Sequence, residues 1–540
     1  MATSVRYAPQ RRGDTPSRRG VLWAILGLVI ATVVAVAGAA VLWSGATLQP
    51  DSTALARVHL QPFAGKLVSA SASAPDGRPI PLVRVSGRLT PRDLLAPGET
   101  VSVDVVVRRP SWLGWALGKE RHERLTIHAP VAHVMRRWVS AAQGEPPRIM
   151  FDIPVDAVAL GSRTRHAASG RFVTLPASAP AGTMKVAAAA RSWERVGAPE
   201  RVSWFPPARR PVALATPAPG TAVAPATPVR LTFSKPVDEA LGSQMPKLEP
   251  ATPGHWHRVD SHTVAFQPTG FGARMGGVLH VTLPHRLAVA TSTGRGLRET
   301  DRIAWSVRPA STLRLHQLLA QAGYLPVTWT SAGADVARTP AGEAEAAVDP
   351  PKGTFRWRYA NTPPELRRQW KPEQATEITR GAVMMFQDTH HLNVDAIAGP
   401  AVWNALLRDA IARKRHTKGY SYVYVHRNVP QLMTLWHNGH VVVRSPGNTG
   451  VPAAPTQLGT FPVFEHIAVG TMSGNNPDGS HYNDPGIKWI SYFHGGEALH
   501  AFPRASFGTP QSLGCVELPE AAAKTVWPYT PIGTLVTVES

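Results

Sequence analysis

The strongest constraint on this chain is an uncharged apolar run close to its N-terminus. The run extends from Gly20 to Trp43 and reads GVLWAILGLVIATVVAVAGAAVLW. A helix needs ~20 apolar residues to cross a bilayer, and Trp23 and Trp43 stand near the two ends, where amphipathic rings favour the membrane interface. We therefore expect a transmembrane anchor over residues 20–43. A cleaved signal peptide is the alternative, since AGAA offers small residues, but the run is longer than the apolar region of such peptides.

A basic segment precedes this run and predicts how the chain is oriented. Residues 1–19 carry a single acidic residue, Asp14, against Arg6, Arg11, Arg12, Arg18 and Arg19. Positive flanking residues stay on the cytoplasmic side of a membrane. We therefore expect a single-pass protein of the cell membrane, with a cytoplasmic basic tail at 1–19 and everything after residue 43 outside, in the cell wall or periplasm.

The chain as a whole is strongly basic. Its 57 Lys and Arg residues against 36 Asp and Glu residues give a net charge of +21. Such a chain attracts polyanions. Outside the cytoplasm nucleic acid is not the expected partner, whereas anionic wall polymers and lipid surfaces are. With one cysteine in the sequence no intrachain disulfide can form, so the domains must be held by packing.

The rest of the chain predicts a multidomain, mainly β protein. Residues 46–210 contain short apolar runs separated by Pro and Gly, which favours a β-sandwich-like module. A Pro/Ala-rich linker follows, and residues 211–310 repeat the pattern in VRLTFSKPV, TVAFQP, VLHVTLP and RIAWSVRP. This second β module loosely resembles the Ig-like modules of bacterial surface proteins, which implies a spacer.

A helical period replaces the strand pattern over residues 311–415. The segment contains STLRLHQLLAQAGYLP, AVMMFQ and LNVDAIAGPAVWNAL. It resembles the peptidoglycan-binding domain type 1, a small three-helix module. Ala396 replaces the first Gly of that family's Asp-Gly-Ile-Ala-Gly, and an insertion from Val327 to Thr376 splits the module. His390 and His391 are interpreted as surface or packing residues, because no second ligand pair stands at metal spacing.

The single cysteine lies in the last domain, residues 418–540, which we predict to be mostly β. Cys515 follows Ser512 and Gly514 in QSLGCVEL. It is open to three interpretations: a buried filler, an intermolecular disulfide, or a nucleophile. A nucleophile needs a base, and His500 stands upstream at the end of a predicted strand. Backbone N–H groups around Gly514 and Cys515 would then form an oxyanion hole.

Two stretches of this domain carry a family resemblance. The stretch LHAFPRASFGTPQSLGCVEL resembles the active-site signature of L,D-transpeptidases, the YkuD-type catalytic domain, and SPGNTGVPAAPTQLGTF resembles the family's substrate-side run. The resemblance implies that Cys515 is the nucleophile and His500 its base. It implies that Ser512 and Gly514 shape the turn, and that Gly459 and Thr460 lie on the substrate side.

The motif departs from the family at several positions. Ala501 replaces the Gly after the histidine, Leu513 replaces a second histidine, and Glu517 stands where Arg or Asn is usual. A glutamate cannot hold an anion, so position 517 is not expected to bind a substrate carboxylate. His494 either supplies the missing imidazole or is a packing residue, and His481 belongs either to a lid over the substrate or to a solvated polar loop.

The resemblance implies a cell-wall L,D-transpeptidase that acts on peptidoglycan stem peptides. It would form 3–3 cross-links through a cysteine thioester, with neither metal nor organic cofactor, and carbapenems would acylate Cys515. An L,D-carboxypeptidase using the same site is one alternative, and a non-catalytic peptidoglycan-binding scaffold is another. A metal hydrolase is disfavoured because the sequence contains no HExxH motif.

Overall fold

The computed structural model describes residues 18–142, 144–177, 179–290 and 296–540. The chain forms two compact units, Met1–Pro207 and Ala208–Ser540. Strands outnumber helices in both units, which confirms the prediction of a mainly β, multidomain protein. Most of the predicted basic tail, residues 1–17, lies outside the described residues.

The first unit begins with the predicted apolar helix, α1, which spans Arg18–Leu42. Residues Arg19–Leu42 are long and apolar enough to cross a membrane, as either an anchor or a signal sequence would be. Their apolar side chains are mostly exposed rather than packed into a core. A second, short helix, α2, spans Ser111–Leu117 between two long strands.

The remainder of the first unit is built from three sheets. Their orders are β1-β2-β6-β5, β4-β3-β7-β8 and β11-β10-β12-β13-β9. Two separate cores fill it, one mainly from residues 46–129 and one from residues 134–204. The segment expected to be one β module therefore contains two. The strands are β1 Ala46–Pro50, β2 Ala56–Leu60, β3 Leu67–Ser73, β4 Pro79–Ile80, β5 Leu82–Val85, β6 Arg88–Pro91, β7 Thr100–Arg108, β8 Glu120–His128, β9 Trp138–Ser140, β10 Arg148–Leu160, β11 Arg163–Thr174, β12 Gly182–Ala189 and β13 Glu200–Phe205.

The second unit opens with a β module around one apolar core. Its sheet has the order β15-β21-β20-β14-β16-β19-β18, with β17 paired to β20. The core includes Phe233 and Trp305, which are fully buried. The four strands predicted here from sequence are present. The elements are β14 Val212–Thr216, β15 Ala222–Val223, β16 Val229–Phe233, α3 Val237–Leu241, β17 Lys247–Glu249, β18 Gly254–Asp260, β19 Thr263–Pro268, β20 Val278–Ala290 and β21 Leu297–Val307.

A helical module follows, and it is larger than the three helices of the sequence prediction. The inserted segment is itself folded, as a β-hairpin and two short helices. The N-cap of the first helix is Ser311, whose hydroxyl accepts the Leu313 N–H, and the helix ends at Gly323 in the left-handed conformation. The elements are α4 Thr312–Ala322, β22 Val327–Ser331, α5 Pro340–Val348, β23 Gly353–Trp357, α6 Pro364–Arg368, α7 Glu377–Thr389 and α8 Pro400–Ala412.

His390 of this module is a packing residue, as predicted. Its ring stacks on Phe386 at 3.9 Å between centroids. Its Nε2 lies 2.7 Å from the Asp409 carboxylate, and its Nδ1 lies 2.9 Å from the Phe386 carbonyl oxygen. Its Nε2 therefore joins α7 to α8, whereas its Nδ1 bonds to the last turn of α7.

The C-terminal module contains two sheets. Their orders are β26-β25-β24-β32-β27 and β28-β29-β30-β31. The last strand, β32, returns to pair in parallel with the first strand of the module, β24, which closes the fold. The elements are β24 Ser421–His426, β25 Leu432–His437, β26 His440–Pro446, β27 Gly459–Pro462, β28 Glu465–Asn475, β29 His481–His494, β30 Glu497–Ala501, β31 Val516–Leu518, α9 Glu520–Val526, a 3₁₀ turn Trp527–Tyr529 and β32 Leu535–Glu539.

The helical and C-terminal modules share one hydrophobic core. Phe386 and Leu319 of the helices belong to the same buried cluster as Tyr422, Trp436 and Leu535 of the strands. The two backbones also meet closely: a Cβ added at Gly381 of α7 would lie 2.5 Å from the Gly533 carbonyl oxygen. The two modules are therefore packed against each other as one body.

We expect Gly381→Ala to destabilise the protein. Alanine is the better helix former by ~1 kcal/mol, but overpacking a tight contact costs about 1–3 kcal/mol, and here the obstacle is backbone that cannot rotate away. A net loss of up to about 2 kcal/mol should appear in urea unfolding. Gly333→Ala is the control, because an added Cβ there meets nothing within 4 Å. Equal stability of the two variants would contradict the close approach.

Candidate active site

The candidate site lies on the pairing of β30 with β31. The two strands are parallel, with Leu499 opposite Val516 and His500 opposite Glu517. Side chains alternate across a strand, so those of His500 and Glu517 share one face of the sheet. The other face carries Leu499 and Val516, which are buried in the core of the C-terminal module.

Cys515 immediately precedes β31 and extends this register by one residue, opposite Ala498. Alternation places its side chain on the face that carries His500. The thiol donates to the Gly496 carbonyl oxygen at 3.6 Å, and the residue keeps an intermediate exposure. The fold thus brings the two residues predicted to be nucleophile and base onto neighbouring strands and one surface.

The turn before Cys515 is held by the two residues predicted to shape it. The Ser512 hydroxyl donates to the Cys515 carbonyl oxygen at 2.6 Å and accepts the Gly514 N–H at 3.2 Å. Gly514 has a φ of +110°, a conformation that side chains rarely adopt. A Cβ at this position would also lie 3.3 Å from Glu497 Cγ. Glycine is therefore favoured by the backbone conformation, and a Cβ would also press against the Glu497 side chain.

His500 is held in one tautomer. Its side chain is buried, with 3% of the residue exposed, and its Nδ1 lies 3.0 Å from the Ala501 carbonyl oxygen. A carbonyl oxygen can only accept, so Nδ1 carries the proton and Nε2 holds the lone pair of the neutral ring. Burial lowers the pKa of His500, which favours this neutral form. His500 is thus prepared to accept a proton at Nε2.

The thiol rests in its protonated form. Burial above all, and then the carboxylates of Glu517 and Glu497, raise the pKa of Cys515 to about 12 against the lowering effect of the Ala498 N–H. The resting state therefore has a neutral thiol and a neutral imidazole. Nucleophilic attack requires the thiol proton to turn from Gly496 toward His500 as the new bond forms.

Glu517, which departs from the family motif, is paired with an arginine from the loop after β30. The Arg504 guanidinium donates to the two carboxylate oxygens at 2.8 and 2.7 Å, and it also donates to the Gln511 carbonyl oxygen at 3.2 Å. Its cationic centre lies 4.6 Å from the centre of the Phe502 ring. The buried Glu517 charge is thus neutralised next to His500.

His494 is paired with Glu497. Its Nδ1 is 3.5 Å from a carboxylate oxygen of Glu497, and its ring packs 4.5 Å from that of Phe461. Glu497 in turn accepts the Gln457 N–H at 3.1 and 3.2 Å. Burial raises the pKa of Glu497, although these partners lower it. His494 is therefore a contact of Glu497, whose carboxylate lies near the Cys515 thiol.

His481 occupies a different setting from the one predicted. It begins the strand β29 and pairs with Asn475 across a long hairpin, so most of the expected polar loop is sheet. The same strand approaches the site further along, where Tyr492 is paired with Ala498. Burial first, and then the negative charge that Cys515 carries when ionised, raise the pKa of Tyr492. Tyr492 thus lies near Cys515, a neighbour that the sequence did not indicate.

Gly459 and Thr460 lie in β27, which belongs to the other sheet. The Thr460 hydroxyl pairs with the Thr537 hydroxyl at 2.8 Å and accepts from the Gln369 side chain at 2.9 Å. These contacts join β27 to β32 and to the helical module. Gln457, just before β27, lies nearer to the site, because its N–H donates to the Glu497 carboxylate. The segment before β27 thus reaches the site through Gln457 and not through the predicted Gly459 and Thr460.

Comparison with known proteins assigns the C-terminal module. Residues 420–538 match the family model of the L,D-transpeptidase catalytic domain, YkuD. No curated protein matches the chain.

Solved structures of low similarity are also found. An L,D-transpeptidase from Mycobacterium smegmatis is 12% identical over 60% of this chain and 97% of its own, with a TM-score of 0.21. L,D-transpeptidase 3 from Mycobacterium tuberculosis is 13% identical over 60% and 97%, with a TM-score of 0.21. The catalytic domain of an E. faecium L,D-transpeptidase is 24% identical over 23% and 99%, also with a TM-score of 0.21. These TM-scores add no argument to the family match.

We expect alkylation of Cys515 by iodoacetamide to be slow and to rise with pH without a plateau. Only the thiolate reacts, and a pKa of about 12 leaves very little of it at neutral pH. The rate should be at least about tenfold below that of an ordinary cysteine at pH 7.5 and should increase about tenfold per pH unit up to pH 9.

Mass spectrometry of the intact chain reports this rate directly, since Cys515 is the only cysteine in the sequence. The matched control is Val469→Cys in a Cys515→Ser background, because Val469 of the same module is 58% exposed. A plateau for Cys515 below pH 8 would mean that the thiolate already exists, paired with an imidazolium.

We expect Arg504→Met to destabilise the protein more than the double variant Arg504→Met/Glu517→Gln. The single change leaves a buried carboxylate without its partner, whereas the double change removes the charge as well. Because Arg504 is partly exposed, we expect a cost of about 1–3 kcal/mol for the single variant. Urea unfolding of the full double-mutant cycle measures the coupling, and additive effects would show that the pair contributes nothing.

Proposed function

Because residues 420–538 form an L,D-transpeptidase catalytic domain of the YkuD type, we propose that the protein cross-links peptidoglycan through an acyl-enzyme on Cys515. The observation that carries this proposal is the position of Cys515 and His500 on one face of β30 and β31, with the lone pair of His500 at Nε2. A nucleophile next to a base that a third group orients is the arrangement needed for covalent catalysis. Here the third group is the Ala501 carbonyl.

The first half of the reaction forms a thioester. The Cys515 sulfur attacks the carbonyl carbon that joins the L-centre of the stem diamino acid to a terminal D-alanine, and the thiol proton passes to His500 Nε2. The tetrahedral intermediate collapses with cleavage of the C–N bond. The imidazolium returns the proton to the leaving nitrogen, and D-alanine departs. The raised pKa of Cys515 makes the imidazole necessary, since attack and deprotonation must be coupled.

The second half of the reaction releases the enzyme. An amine of a neighbouring stem attacks the thioester carbonyl and gives its proton to His500, which then protonates the departing sulfur. The product is a 3–3 cross-link. If water attacks instead, the product is a tripeptide and the same site is an L,D-carboxypeptidase. The choice between the two depends on whether the amine excludes water.

The oxyanion of both tetrahedral intermediates requires a hydrogen-bond donor. The Gly514 N–H is engaged by the Ser512 hydroxyl, so we assign the Cys515 N–H to this role. The bond from Ser512 to the Cys515 carbonyl fixes the backbone on the other side of this residue. Ser512 and Gly514 therefore act as positioning residues.

The other modules fit a protein that works in the cell wall. We propose that the helical module binds peptidoglycan, because it contains a cavity of about 520 Å³ that is lined by Trp329 and by more cations than carboxylates. The cations are Arg314, Arg338, Arg413, Lys414 and Arg415, and the carboxylates are those of Asp335, Glu343 and Asp409. Cationic side chains suit the carboxylates of stem peptides. We also propose that α1 is a retained anchor with its N-terminus in the cytoplasm, which places the catalytic module outside.

We expect a soluble form beginning at Ala46 to convert purified disaccharide-tetrapeptide into a cross-linked dimer with release of D-alanine. Cys515→Ala should give no product, because no acyl-enzyme can form. His500→Gln should lower the rate by about 10²–10⁴-fold, the usual contribution of a general base. Mass spectrometry of the products and of the intact enzyme measures both dimer and thioester.

The alternatives predict different products. A tripeptide in place of the dimer, with D-alanine released by wild type only, would identify an L,D-carboxypeptidase. No turnover and no thioester from a folded protein that still binds peptidoglycan would identify a scaffold. The protonated resting thiol is the observation that favours this last candidate.

A further inference from the structure

Two exposed tryptophans stand at the tip of the β7–β8 hairpin. The strands pair as far as Arg108 and Glu120, and the tip between them carries the short helix α2. Trp115 of this helix is 85% exposed and Trp112 is 52% exposed. Leu117 is exposed as well, whereas Leu113 is buried. A cluster of large apolar side chains at a hairpin tip is a surface that water does not favour.

The tip reaches back along α1. Trp112 lines a small apolar cavity of about 250 Å³ together with Thr32, Val33, Val36 and Ala37 of that helix. These four residues precede the end of α1 at Leu42 by roughly 8–15 Å along the helix axis, at 1.5 Å per residue. The hydrocarbon core of a bilayer is about 30 Å thick. If α1 spans it, Trp112 lies within the outer leaflet.

The base of the hairpin fixes this arrangement. The Arg121 guanidinium of β8 donates to the carbonyl oxygens of Val41 at 3.1 Å and of Leu42 at 3.2 Å. These are terminal carbonyls of α1, which have no partner within the helix. The hairpin is thus joined to the end of α1, and its tip is directed toward the middle of that helix.

The polar groups of the tip are arranged for a membrane surface. The Arg109 guanidinium donates to the carbonyl oxygen of Leu117, and to those of Gly118 at 3.2 Å and Glu120 at 3.1 Å. Backbone carbonyls near the C-terminal end of α2 are thereby satisfied without water, as a bilayer requires. Arg108 and Lys119 are exposed at the same base, where lipid phosphates would lie.

We propose that residues 109–119 form a second membrane-inserting element, which lies in the outer leaflet beside α1 and places Trp112, Trp115 and Leu117 among the lipids. The partner is a phospholipid bilayer. This inference rests on the proposed function of α1 as a retained anchor. Its consequence is that the protein is held by two elements, which restricts its rotation about the anchor.

The test uses the full chain with Cys515→Ser, so that one introduced cysteine can carry an environment-sensitive fluorophore. Trp115→Cys and Leu117→Cys probe the tip, the latter with both tryptophans intact. Leu28→Cys probes the middle of α1, and Val469→Cys probes an exposed site in the catalytic module. Each protein is reconstituted in phosphatidylcholine and phosphatidylglycerol vesicles and quenched by aqueous iodide or by lipids that carry a nitroxide near the headgroup or near the chain end.

We expect both tip probes to lose quenching by iodide and to be quenched by the lipid nitroxides instead. The Leu28 probe should respond to the deep nitroxide, and the Val469 probe to iodide alone. Tip probes that behave like Val469, while Leu28 responds as a buried position, would overturn the proposal and leave the anchor standing. If Leu28 is also open to iodide, the anchor itself fails and the proposal fails with it.

Discussion

The parallel pairing of β30 with β31 is the interaction on which the site depends. Because side chains alternate on each strand, this single register decides that Cys515 and His500 share a face. A slip of one residue in either strand would send one of them into the core with Leu499 and Val516. His500 and Cys515 are fifteen residues apart in the sequence, and backbone hydrogen bonds between β30 and β31, not a direct side-chain contact, bring them together.

Charge at the site is balanced within the chain itself. Glu517 and Glu497 both stand close enough to raise the pKa of the Cys515 thiol, yet each has a partner of its own. Arg504 neutralises Glu517 through two hydrogen bonds, and Glu497 is held by the Gln457 amide and His494. The result is a neutral thiol and a neutral imidazole in a protein whose overall charge is +21. The site therefore does not inherit the basic character of the whole chain.

The sequence predicted the parts of the site that depend on local chemistry. Cys515, His500 and Gly514 follow from a reactive residue type, a base and a turn. The family match assigns their module to the L,D-transpeptidases, while their individual roles stay predictions. Arg504 and Tyr492 were not predictable from local sequence. Arg504 reaches Glu517 from a loop, and Tyr492 is brought to Ala498 by the pairing of β29 with β30, which no local pattern encodes. His481 was placed in a loop because its surroundings are polar, but cross-strand pairing with Asn475 outweighed that composition.

Because the helical and C-terminal modules share a core, the start of the family match and the start of the folded body lie at different residues. The family match begins at residue 420, but the apolar cluster that covers Tyr422 and Trp436 begins with helix residues near Leu315. The stretch that matches the family is therefore shorter than the stretch that shares one hydrophobic core. Strands that in isolation would present a bare aromatic surface are covered by helices, so any recombination of this module with another protein must carry residues 311–415 along with it.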